Sequence, residues 1–139
     1  MRQALPSLIS CVVVLCLSAP AICAAQGDSK TIRLICKYSH TIDDQGKQSA
    51  TSGETLFTVL PLRDGQVTVQ KQGLGAQFSG TMTDAEISAD VIYEIGNTKY
   101  AQSLSINRFT GELQITFGTP GKGGLVHFGS CRSATKPLF

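Results

Sequence analysis

From residue 31 onward, apolar residues return at every second position and only rarely at every third or fourth. A repeat of two puts alternate side chains on opposite faces of an extended chain, so it specifies strands with one buried face. Ile32, Leu34, Cys36 and Tyr38 share a face, with Thr31, Arg33 and Lys37 opposite and Ile35 as the exception. Further strand-length runs cover residues 56–60, 67–69, 78–82, 87–95, 104–106, 113–117 and 125–131, giving eight expected strands.

The connections carry turn chemistry. Arg63-Asp64-Gly65 contains the Asp-Gly pair that suits the positive φ angles of a tight hairpin. Gly96-Asn97 and Phe109-Thr110-Gly111 are read the same way, and residues 118–124 form a glycine-rich turn around Pro120. Thr83-Asp84-Ala85-Glu86 has the form of a helix capping box. Yet Ile87, Ala89, Val91, Tyr93 and Ile95 alternate without a gap, and a helix would mix Asp90 and Glu94 into their face, so a strand is expected there. The polar stretch 41–53 is expected to be a long exposed loop. One phase conflict remains: Cys131 alternates with Leu125 and His127, whereas Val126 and Phe128 look more like core residues, and a bulge at Gly129 would reconcile them.

The N-terminus reads as an address. Arg2 precedes an apolar run over residues 5–18, then Pro20 and a stretch of small residues, so residues 1–25 are expected to be a signal peptide. The run is shorter than the roughly 20 residues of a spanning helix, which argues against a membrane anchor. Acylation at Cys23 is disfavoured by Ile22, which stands where a small residue is wanted. Residues 26–139 then form a single β domain of ordinary size.

Of the five cysteines, only Cys36 and Cys131 lie beyond residue 25. An even pair in an exported domain is expected to be oxidised, and a loop of this length is worth about 4 to 5 kcal/mol in the chain-entropy argument. Short connections favour antiparallel neighbours, so the simplest topology is an up-and-down meander. If eight strands close, the first lies beside the last, where Cys36 and Cys131 need to be. The expected fold is therefore all-β: a closed barrel or a flattened two-sheet sandwich with one disulfide.

The full chain has 12 Lys and Arg against 10 Asp and Glu, with the basic residues scattered singly. Nothing in that pattern suggests an electrostatic nucleic-acid surface, and no nucleic-acid partner is expected. No cofactor and no metal are expected: there are two histidines, and His40 with Asp43 and Asp44 sits at the start of a polar stretch where such groups are solvated. No nucleophile elbow is present, and the carboxylate pairs Asp90 with Glu94 and Asp84 with Glu86 fall on polar faces. The glycines of residues 73–75 and 118–124 lack the spacing and the following helix of a phosphate-binding loop. No enzyme chemistry is expected.

The run Leu104-Ser105-Ile106-Asn107-Arg108-Phe109-Thr110-Gly111, followed by Gly129-Ser130-Cys131 and the ending Lys136-Pro137-Leu138-Phe139, resembles a pattern of small exported bacterial β-proteins of unassigned function. The expected architecture is also similar to that of the bacterial periplasmic lysozyme inhibitors, small disulfide-bearing eight-stranded barrels whose inhibitory loop carries a Ser-Gly-x-x-Tyr element. Here Ser79-Gly80-Thr81-Met82-Thr83 has threonine in place of the tyrosine, so the inhibitory role is not carried onto Ser79.

The functional expectation is a non-catalytic binding module, exported to the periplasm or secreted, that acts on a protein or cell-envelope component. The alternative is a carrier of a small apolar ligand, with Phe78, Met82, Tyr93 and Phe117 lining a cavity. Arg108 follows the phase of Leu104 and Ile106. It is expected either to cap the hairpin by bonding backbone carbonyls or to serve as a binding charge.

Overall fold

A computed structural model describes residues 30–134. The expected signal peptide and the Lys136-Pro137-Leu138-Phe139 ending lie outside the described residues. The strands are β1 (Ile32–Ile42), β2 (Gln48–Ala50), β3 (Glu54–Pro61), β4 (Gln66–Lys71), β5 (Gln77–Met82), β6 (Glu86–Ile95), β7 (Thr98–Asn107), β8 (Glu112–Gly118) and β9 (Gly124–Ser133). From β3 to β9 each strand pairs antiparallel with the next, β3 pairs with β1, and β1 pairs with β9. Eight strands thus close into a barrel rather than a sandwich, and the short β2 is added beside the end of β1.

Closure leaves one continuous interior. Phe57, Val59, Val67, Val69, Phe78, Leu104, Leu113 and Ile115 fill its middle and are completely or almost completely buried. Cys36 and Cys131 are directly opposite each other across the β1–β9 seam and form the disulfide, with Cα atoms 4.0 Å apart. At one point two strands come unusually close: a Cβ on Gly80 would lie 1.9 Å from the Ser88 carbonyl oxygen and 2.5 Å from Ala89 Cα. Gly80 and Ala89 are cross-strand partners, so the absence of one side chain and the smallness of the other permit the approach.

The expected turns form. Asp64 and Gly65 take φ values of 56° and 71°, and the Gln66 N–H donates to the Arg63 carbonyl, which makes the Asp-Gly hairpin between β3 and β4. Residues 86–95 are a strand. The Thr83 hydroxyl accepts from the Ala85 and Glu86 N–H groups, so the capping-box chemistry closes a turn before a strand.

Two expectations are corrected. Residues 41–53 are a hairpin more than a loop: Thr41 and Ile42 extend β1, and His40, Thr41 and Ile42 pair with Ala50, Ser49 and Gln48. Asp43 makes this possible, because its Oδ1 accepts from the Gln45 and Lys47 N–H groups and tightens the turn. The bulge is also not at Gly129. β9 runs in unbroken register against β8, and the irregularity falls on β1, where Tyr38 pairs with Gly129 and His40 with Phe128, leaving Ser39 extra. Leu125, His127 and Gly129 consequently face inward, whereas Val126 and Phe128 face outward, because each is opposite a residue of that face on β8, and Cys131 faces inward opposite Cys36 on β1.

Candidate functional site

The bulge builds the larger of two candidate sites. It sets Ser39 and His40 consecutively on the outer wall, so that Cys36, Tyr38 and Thr41 all remain on the inner one. The His40 ring stacks on the Phe128 ring at 4.8 Å between centroids and 9° between planes. Beside this platform a groove of about 660 Å³ crosses the outer wall, lined among others by Glu86, Ser105, Glu112 and Gln114.

The groove is rich in acceptors. The Ser39 hydroxyl has one proton, which it donates to the Phe128 carbonyl at 3.1 Å, so it can only accept from His40 Nδ1 at 3.0 Å. That bond places the His40 proton on Nδ1 in the neutral ring and leaves Nε2 as an acceptor. Glu86 accepts from the Ser105 hydroxyl and Glu112 from the Thr110 hydroxyl. Among the described residues neither carboxylate has a cationic partner, since the ion pairs are Lys37 with Glu54 and Lys99 with Glu94.

The second site is inside the barrel, at the end where β6 turns into β7. Lys71 is opposite Phe57 on β3 and therefore faces inward, as do His127 opposite Ile115 and Gln102 opposite Val91. With Tyr38, Ile115 and Phe117 these three line a half-open cavity of about 120 Å³ at the barrel end. Tyr93, Tyr100 and Phe117 stack in sequence at this end, 5.7 and 5.5 Å apart. Burial pushes the Lys71 ammonium below its ordinary pKa and the Tyr38 hydroxyl above its own. Burial, and after it the Lys71 charge, lowers His127. Gln102 is 6% exposed and donates its Nε2 to the Tyr93 hydroxyl at 2.6 Å, whereas its Oε1 and His127 Nδ1 are buried without a partner.

Arg108 is exposed at the opposite end of the barrel. Its guanidinium donates to the Thr83 carbonyl and its backbone N–H to the Ala85 carbonyl, both in the neighbouring connection between β5 and β6. The four residues expected to line an apolar cavity are not brought together. Phe78 is packed in the core, Met82 is opposite Ile87 toward the Arg108 end, and Phe117 with Tyr93 belongs to the Lys71 end. The core fills the space between them. Ser79 and Gly80 of the inhibitor-like element lie within strand β5, not in a loop. His40, Asp43 and Asp44 hold no metal geometry: no group of three or more potential ligands occurs among the described residues.

Lys71, Gln102 and the inward face of His127 were missed in the sequence, although the phase of Lys71 with Val67 and Val69 was a usable signal. No known protein family, curated protein or solved structure matches the chain.

Proposed function

We propose that this protein is an exported, non-catalytic binding module that recognises a protein partner of the cell envelope by taking an arginine-bearing segment into the outer groove. The observation that carries the reading is the pair of unneutralised carboxylates, Glu86 and Glu112, beside the stacked rings of His40 and Phe128. A guanidinium is planar, donates in a fork to carboxylates and lies favourably on aromatic faces, so it matches this lining better than a compact ammonium does. Export is supported by the leader-like N-terminus and by a disulfide, a bond that persists in oxidising compartments. No helix among the described residues is long and apolar enough to cross a membrane.

Calorimetric titration with an arginine-rich peptide, a lysine-rich peptide of equal length and an acidic peptide tests the proposal. The arginine peptide is expected to bind best, with an affinity that falls as salt is added. Combining Glu86→Gln with Glu112→Gln should weaken it by about tenfold or more. Equal binding by the double variant, or no binding of the arginine peptide to the wild type, would remove the groove as the recognition surface.

A further inference from the structure

The cavity inside the barrel is built differently from the groove and stands independently of it. A closed barrel of this size is filled by apolar side chains unless something repays a polar one. Here a lysine, a histidine, a glutamine and a tyrosine converge on one space of about 120 Å³, and among the described residues Lys71 has no carboxylate partner. Two of the buried polar atoms there, Gln102 Oε1 and His127 Nδ1, bond to nothing. Buried polar groups are otherwise satisfied almost without exception, so these two mark a place shaped for an occupant.

We propose that this cavity is a binding site for a small carboxylate, held by Lys71, Gln102, His127 and Tyr38.

All four groups can donate at once. The Tyr93 hydroxyl can either accept from the Gln102 amide or donate to it, so the amide can turn over and present its NH₂ to the cavity while its oxygen takes the Tyr93 proton. His127 makes no hydrogen bond that fixes its tautomer, so Nδ1 can carry the proton. With the Lys71 ammonium and the Tyr38 hydroxyl this gives a set of N–H and O–H donors around a single fixed cation.

The charge count selects the anion. Lys71 supplies one positive charge, and His127 is held neutral by burial and by Lys71 itself. One negative charge is compensated, which suits a carboxylate and leaves a phosphate dianion in excess. The volume takes a group of a few heavy atoms, and Phe117, stacked on Tyr100, offers a flat apolar surface to whatever is attached to it.

The probes are acetate, benzoate and inorganic phosphate, added to the oxidised protein while the His127 ring is followed by NMR and heat by calorimetry. Acetate and benzoate should shift the His127 resonances saturably and raise its pKa, with benzoate tighter because its ring meets Phe117. Phosphate should bind more weakly than either. Lys71→Met keeps the length of the side chain and removes the charge, and it should weaken carboxylate binding by about tenfold or more while the unliganded protein melts at a higher temperature. Lys71→Gln is the second variant, with the same loss of binding expected. The site is refuted if neither carboxylate shifts His127 at millimolar concentration, if either variant binds as the wild type does, or if phosphate binds more tightly than both.

Discussion

At the residue scale, Lys71 and His127 show how a functional demand opposes stability. Both are pushed toward their neutral forms by burial, and their charges repel. The unfolded chain binds the His127 proton with the ordinary value of 6.5, the folded one less readily. Stability should therefore be fully present above about pH 6.5 and fall as the pH drops from there through the lowered folded value. The charged and titratable groups lining that cavity with His127 are Lys71 and Tyr38, and only Lys71 is charged across this range. Lys71→Met should raise the His127 pKa and shrink the acid-side loss, measured by denaturant unfolding at stepped pH. Gly80 is constrained in the opposite sense, by lack of room. Gly80→Val forces a side chain into the Ser88 carbonyl and should destabilise by about 1–3 kcal/mol, read from the shift in the urea midpoint.

At the element scale, the strands were legible because alternation and turn residues agreed. Asp64-Gly65, Gly96-Asn97 and Gly111 sit where the chain reverses, and Gly111 combines a φ of +76° with a Cβ position 2.5 Å from the Cys131 carbonyl oxygen. Strand β6 was correctly separated from a helix because five alternating apolar residues outweigh one capping motif. What the sequence hid was the partner of each irregularity. A bulge at Ser39 leaves no mark on its own strand except polar neighbours, so in the sequence the conflict surfaces on β9, at Cys131, and points to the wrong strand. The β1–β2 hairpin is hidden for a different reason: β2 is short, polar and exposed, and only its backbone pairing with His40, Thr41 and Ile42 reveals it. Deleting Ser39 would restore regular alternation with Tyr38 and Thr41 still inward and His40 still outward, so the fold should be kept. Loss of the Ser39 hydroxyl, which bonds His40 Nδ1 and the Phe128 carbonyl, should nevertheless weaken peptide binding in the groove, read by calorimetric titration.

At the scale of the whole molecule, closure is the feature on which everything else depends. The β1–β9 seam joins the first and last long strands, carries the disulfide between Cys36 and Cys131, and forms both the His40–Phe128 platform outside and the Tyr38–His127 contact inside, 5.5 Å between rings. Strand count and cysteine placement pointed to this seam, whereas the two sites beside it were not legible, because each is assembled from residues scattered over four or more strands. Replacing both cysteines by alanine should lower the unfolding free energy by an amount near the upper end of roughly 2–5 kcal/mol, since the bridged residues are 95 apart in sequence. In the proposed function this closed wall presents an acceptor-lined groove to an arginine-bearing partner. Mapping amide NMR shifts while an arginine-rich peptide is added tests it most directly: the changes should cluster at His40, Glu86, Glu112, Gln114 and Phe128, and changes confined to the barrel ends, or none at saturating peptide, would contradict it.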